Sequence, residues 1–171
     1  MSGREPTVTL RAATAGDRDF LLRVYASTRE QELAAVPFTP TERAAFLEQQ
    51  FIAQSAHYER EGNGSTFDVV LVDGEPAGRL IVGRWEREVR VVDIALLPEY
   101  RGHGVGGRLL REVLEEAVER GVVASIHVER DNGRALAFYE RLGFERVAET
   151  GLYVLLECPA PPGAGQAKIA S

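Results

Sequence analysis

The chain has 171 residues, 44% hydrophobic and 27% charged, with a formal net charge of −6. That length fits one globular domain with a sizeable core, and the acidic balance repels phosphate backbones, which argues against nucleic acid as the main partner. A single cysteine, Cys158, excludes an internal disulfide and agrees with a reducing, cytoplasmic setting.

The opening MSGREPTVTL lacks the apolar stretch of a signal peptide, and no apolar run reaches 18 residues, so neither secretion nor a membrane span is expected. TVTLRAA, residues 7–13, reads as a short strand. Thr14, three before Asp17, caps a helix carrying Phe20, Leu21, Val24 and Tyr25, predicted to run to Glu32. A second helix is predicted over 39–61. Thr39 caps it, Pro40 takes its first position and Glu42 completes a capping box. Its expected buried stripe is Phe46, Leu47, Phe51, Ile52 and Ala56.

Three strands follow, 66–73, 76–86 and 89–97, joined by tight turns as an antiparallel meander. Residues 105–121 form an amphipathic helix ended by Gly121. A strand over 122–129, a short helix over 132–143 opened by Asn132, and strands 144–150 and 152–158 complete the order. The pattern β-α-α-β-β-β-α-β-α-β-β predicts an α/β (α+β) fold. Its mixed, mainly antiparallel sheet has six to seven strands, with four helices, in one domain over 1–158. The helix at 105–121 crosses over, right-handed, between parallel neighbours. From residue 159 the Pro-, Gly- and Ala-rich tail is expected to be disordered.

The segment PEYRGHGVGGRLL, 98–110, places Gly102, Gly104, Gly106 and Gly107 just before the crossover helix. Glycine is the residue most costly to order, so four together point to close backbone approach by a ligand. Read alone, Gly102-His103-Gly104-Val105-Gly106-Gly107 satisfies the dinucleotide fingerprint, with Glu129 as the ribose-binding acid. Against that, PEYR separates the strand from the first glycine, and the upstream elements are an antiparallel meander rather than βαβ units. A glycine-rich surface turn without a ligand is the bland alternative.

Arg101-x-x-Gly104-x-Gly106 matches R/Q-x-x-G-x-G/A. With DIALLPEYRG upstream and Asn132…Tyr139-x-x-x-Gly143-Phe144 downstream, the chain resembles the GCN5-related N-acetyltransferases, most specifically over 93–144. The resemblance implies an enzyme moving an acetyl group from acetyl-CoA to a primary amine by direct attack in a ternary complex. It assigns coenzyme binding to Arg101, Gly102, His103, Gly104, Val105, Gly106, Gly107, Asn132 and Ala135, and to the main chain of Ile94, Ala95 and Leu96, which would pair with the pantetheine arm. Arg101 or Arg108 would add positive charge. It casts Tyr139 as the acid that protonates the departing thiolate.

Asp93 interrupts an apolar strand and is the first candidate for the base, on the expectation of a buried carboxylate with a raised pKa. His127 and Glu129, sharing one strand face, and His57, Glu30 and Glu32 are weaker candidates; each has a surface charge or structural hydrogen bond as its bland alternative. Arg29 and Tyr58 join them as polar groups for an unidentified amine acceptor. Cys158 ends an apolar run and is expected to be a small buried hydrophobe without a covalent role. No metal is expected, and the closing strands offer edges for a homodimer. A non-catalytic acyl-CoA-binding domain is the other reading of this scaffold, and a dinucleotide-dependent oxidoreductase a third.

Overall fold

The structure is a computed structural model that describes residues 3–60 and 62–159. The predicted tail, from residue 160 onward, lies outside the described residues. In chain order the elements are β1 (Val8–Ala12), α1 (Arg18–Thr28), α2 (Glu30–Ala34), α3 (Pro40–Arg60), β2 (Ser65–Val72), β3 (Glu75–Arg84), β4 (Glu88–Leu96), α4 (Val105–Arg120), β5 (Val123–Glu129), α5 (Gly133–Arg141), β6 (Glu145–Thr150) and β7 (Tyr153–Cys158). The seven strands follow the order β1-β2-β3-β4-β5-β7-β6. Only β4 and β5 are paired in parallel among the registers observed; β1–β2, β5–β7 and β6–β7 are antiparallel. The α4 crossover thus joins parallel neighbours, as its position after a meander requires.

Backbone packing divides the chain into two compact units: Met1–Ile81 with Asp93–His103, and Val82–Val92 with Gly104–Ser171. The long strands β3 and β4 each contribute to both.

In the first unit, β1 pairs with β2 from Val8↔Val72 to Ala12↔Asp68. Asp73 and Gly74 both take positive φ, +50° and +83°, the backbone that a two-residue hairpin between β2 and β3 demands. Tyr25 of α1 meets Phe51 of α3 with ring centroids 6.0 Å apart. Val24, Ala95 and Leu97 form a buried cluster that Phe20 and Tyr100 cover. The α1 entrance is locked by a capping box: the Thr14 N–H donates to Asp17 Oδ2 at 2.8 Å, and Arg11 holds both Asp17 oxygens at 2.7 and 2.8 Å.

Two expectations need correction here. The first helix stops at Thr28 and restarts as the short α2, giving five helices among the described residues rather than four. The hydroxyls of Ser27 and Thr28 each donate to a carbonyl three residues back, Val24 and Tyr25, both at 2.7 Å. Such back-bonding competes with the helical ladder and ends it. The α3 stripe is also rotated. Phe51 is buried and Phe46 and Leu47 half-buried, but Ile52 and Ala56 are exposed. The half-buried positions toward the C-terminal end are Gln54, Ser55 and Tyr58. Apolar identity misplaced the stripe, because the inward face there is polar.

In the second unit, Leu109, Leu110, Val113 and Ala117 form the buried stripe of α4, whose end is closed by Gly121 at φ +67°. Val91, Ile126, Val154 and Leu156 are core positions of its strands. A Cβ on Gly83 would lie 2.3 Å from the Trp85 ring, so glycine there makes room for the indole. On the outer strand β6 every residue is exposed, and the β6–β7 register shifts between Arg146 and Ala148.

Candidate functional site

The glycine turn begins where β4 ends. Pro98–Tyr100 make one 3₁₀ turn, after which Gly102 and Gly104 take φ of +76° and +80°. A side chain at either position would be strained by the backbone alone, yet a Cβ there would meet no atom within 4 Å. The glycines therefore leave the outer side of the turn bare. Gly104 is also the N-cap of α4, and no side chain caps that terminus. The first helical bond is the Arg108 N–H to the Gly104 carbonyl, 3.1 Å. The first-turn N–H groups before it are left to water or an anionic ligand, at the positive end of a 16-residue helix. A pyrophosphate fits this cradle: bare backbone, outward donors and no competing cap.

In the first unit, Asp93, Ile94, Ala95 and Leu96 lie on β4. The β4–β5 ladder runs only from Glu88↔Val123 to Val91↔Ile126, and β4 continues to Leu96. A Cβ on Gly78 would lie 2.2 Å from the Ala95 carbonyl oxygen, so glycine in β3 permits close approach to this part of β4. Arg101 also has partners within the first unit: its Nε donates to the Leu96 carbonyl at 2.8 Å and its Nη2 to Ser27 Oγ at 3.3 Å. It braces the end of β4 against α1.

Asp93, expected to be buried, is half-buried and an ion-pair partner: Arg79 Nε donates to its Oδ2 at 2.7 Å. Glu30 and Glu32 are exposed on α2, Glu32 lying 3.2 Å from Arg29. His57 is exposed near the end of α3, its ring 6.0 Å from that of Tyr58.

The second unit carries the remaining candidates. Asn132 caps α5, its Oδ1 accepting from the Ala135 N–H at 3.1 Å. Both residues assigned to coenzyme binding are thus joined, and the Ala135 donor is used within the protein. Tyr139 is buried, its ring 5.4 Å from Phe138 and edge-on to Phe144 at 5.9 Å. His127 and Glu129 share the exposed face of β5, as strand alternation predicts. Partial desolvation at this exposed position and the nearby Arg90 charge push the His127 pKa down, against a smaller pull from Glu88. Cys158 is half-buried, and burial, aided by Glu145, pushes its thiol up, which disfavours the thiolate.

Sequence reasoning missed Arg79, Gln54 and Ser27. For Arg79 a signal existed, since an arginine inside PAGRLIV interrupts an apolar strand just as Asp93 does.

A sequence model of the Acetyltransferase (GNAT) family matches residues 21–144, most of the chain. The chain belongs to this family. GNAT acetyltransferases take their acetyl group from acetyl-CoA, and a sheet with β1–β2, β5–β7 and β6–β7 antiparallel disfavours the mostly parallel dinucleotide-binding fold. A thialysine N-ε-acetyltransferase of Bos taurus is 28% identical over 153 residues, 83% of this chain and 86% of that protein. The N-α-acetyltransferase RimI of Mycobacterium tuberculosis is 48% identical over 60 residues, which spans 35% of this chain and 37% of RimI. Streptothricin acetyltransferase of Streptomyces lavendulae is 30% identical over 58% of this chain and 61% of its own length. Among solved structures, the PaiA N-acetyltransferase of Thermoplasma acidophilum in complex with coenzyme A shares the fold at TM-score 0.67 and 16% identity, over 90% of this chain and 99% of that one. These findings support an acyl-CoA-dependent N-acetyltransferase. No described helix is long and apolar enough to cross a membrane.

Proposed function

We propose that the chain transfers an acetyl group from acetyl-CoA to a primary amine by direct attack, with no acetyl-enzyme. The observation that carries this reading is the turn 102–107. Two left-handed glycines lead into a 16-residue helix without a side-chain cap, an arrangement suited to an anionic ligand. The pyrophosphate of acetyl-CoA rests on the backbone of Gly102, His103, Gly104, Val105, Gly106 and Gly107. The main chain of Ile94, Ala95 and Leu96 pairs with the pantetheine arm as an added strand. The Leu96 carbonyl already accepts from Arg101, so Leu96 contributes through its N–H. Arg101, bonded to Leu96 and Ser27, opens the turn as a coenzyme-binding residue. Asn132 and Ala135 shape the start of α5 beside the coenzyme.

Acetyl-CoA supplies an activated thioester. Tyr139 protonates the departing sulfur, and Asp93 takes the proton of the attacking amine, directly or through a water. Cys158 takes no part, because its raised pKa leaves little thiolate at neutral pH.

The amine is the least constrained element. A relative that matches along most of both chains is a thialysine acetyltransferase, so thialysine is the first acceptor to test. A homodimer through the outer strand β6, where Val147 is 54% exposed, and a cytoplasmic location complete the reading. The test is coenzyme A release from acetyl-CoA with thialysine, streptothricin and an N-terminally unblocked peptide. Saturable release with one of them, and formation of its N-acetyl product, supports the function. Acetyl-CoA binding without product from any amine would identify a non-catalytic acyl-CoA-binding domain instead.

A further inference from the structure

Arg79 sits in the middle of β3 and is 6% exposed. Its guanidinium is gripped from three sides within the first unit. Nε donates to Asp93 Oδ2 on β4 at 2.7 Å, Nη2 donates to Gln54 Oε1 on α3 at 3.3 Å, and the group lies 6.0 Å over the Tyr58 ring, also on α3. The pair is asymmetric. The Arg79 side chain is almost closed to solvent, while that of Asp93 keeps 21% of its surface accessible.

Burying an ion pair is a poor way to gain stability, because desolvation consumes the Coulombic return and apolar residues of similar size do as well. What the pair does provide is geometry. A guanidinium is a rigid planar fork, and a fork held at several points cannot turn. The carboxylate bonded to it is then held at Oδ2, while 21% of the Asp93 side chain stays accessible. This arrangement also explains the rotated inner face of α3, where Gln54 and Tyr58 stand in place of Ile52 and Ala56.

We propose that Arg79 is a positioning residue of the reaction. It orients the Asp93 carboxylate toward the acceptor amine, and Gln54 and Tyr58 hold its guanidinium in place. The inference rests on the reading of Asp93 as the base. It assigns Arg79 no contact with either substrate; it acts through Asp93.

A double-mutant cycle tests it on the full chain. The variants are Arg79→Lys, Arg79→Met, Asp93→Asn, the Arg79→Met/Asp93→Asn pair and Gln54→Ala. Coenzyme A release from acetyl-CoA is followed with thialysine, with an unblocked peptide and with water alone as acceptor. Acetyl-CoA affinity is measured separately. Arg79→Met is expected to lower kcat by about tenfold or more, since a misaligned base forfeits much of its contribution. Acetyl-CoA affinity should stay within about twofold, because neither the Arg79 nor the Asp93 side chain is assigned a contact with the coenzyme. Arg79→Lys, which keeps the charge and loses the fork, should recover part of the loss. In the Asp93→Asn background, adding Arg79→Met should change kcat by less than about twofold, the non-additivity of residues acting as one. If Arg79→Met does not fold, Arg79→Lys and Gln54→Ala take its place in the same cycle.

Losses that multiply in the double variant would overturn the proposal, as would an acetyl-CoA affinity that falls as far as kcat. A wild-type chain that binds acetyl-CoA but releases no coenzyme A to any acceptor, water included, contradicts the acetyltransferase reading, and the role of Arg79 falls with it.

Discussion

Gly104→Ala separates what the glycine turn does for the backbone from what it does for a ligand. At φ +80° an L-residue is strained by about 1–2 kcal/mol, partly offset by the reduced freedom of alanine in the unfolded chain, about 0.4–1 kcal/mol. No atom lies within 4 Å of the new Cβ, so no clash is added. The net cost is about 1 kcal/mol, or about 2–4 °C in Tm for a chain of this length. Gly74→Ala is a matched control: its φ is +83°, its Cβ is equally unobstructed, and it lies in the β2–β3 hairpin. Both variants should therefore melt a few degrees early, by similar amounts. They should differ in coenzyme A affinity. At Gly104 the methyl group occupies the space assigned to the pyrophosphate and disturbs a charge-assisted hydrogen bond worth about 1.5–3 kcal/mol, so affinity should drop by about tenfold or more. Gly74→Ala should leave it unchanged. Isothermal titration with coenzyme A, alongside thermal melts, gives both numbers. Equal affinity in the two variants would refute the cradle and reduce the glycines to a turn.

Three further outcomes follow from the structure. Tyr139→Phe removes the proposed acid while keeping the ring that packs on Phe138 and Phe144; kcat should fall by about 10²-fold with acetyl-CoA affinity retained, and an unchanged kcat would remove Tyr139 from the chemistry. Asp17 is held well below the usual carboxylate range by the Arg11 hydrogen bonds and the Thr14 N–H. Folding lowers its pKa, so its contribution is present above the unfolded value of about 4 and is lost as pH falls below it. Asp17→Asn should cost about 1–2 kcal/mol at pH 7 through the broken cap and flatten the acid side of the stability curve, as urea midpoints between pH 3 and 7 would report. Cys158→Ser should leave turnover within about twofold, because no covalent step passes through a thiol whose pKa is raised; a loss beyond tenfold would point to an acetyl-enzyme.

Features set by neighbours in sequence were legible from the start. The Thr39–Glu42 box is in place, with the Thr39 N–H donating to Glu42 Oε2 at 2.8 Å and the Glu42 N–H to Thr39 Oγ1 at 3.2 Å. So are the Asn132 cap, the Gly121 stop and the Asp73–Gly74 hairpin, each specified by two to four residues. Tertiary partners were less accessible. The break at Arg29 depends on Ser27 and Thr28 turning their hydroxyls back, while the same residues could continue a helix. Arg101 lies in the signature at the turn, but its partner Ser27 lies 74 residues away, where no local pattern could point to it. Asp93 was noticed as a charge in an apolar strand, as Arg79 could have been. That the two charges meet depends on how β3 and β4 align, which neither strand specifies alone.

The most direct test of the account is thermal unfolding of the full chain with acetyl-CoA, coenzyme A, NADH and ATP in parallel. At about a hundredfold over Kd a ligand adds about 2.7 kcal/mol, which for a chain of this length raises Tm by about 5–10 °C. The account predicts that shift with acetyl-CoA and coenzyme A, and none of comparable size with NADH or ATP. A shift with NADH or ATP but not with coenzyme A, or no shift with any of the four, would contradict the assignment of the glycine turn as a coenzyme A cradle.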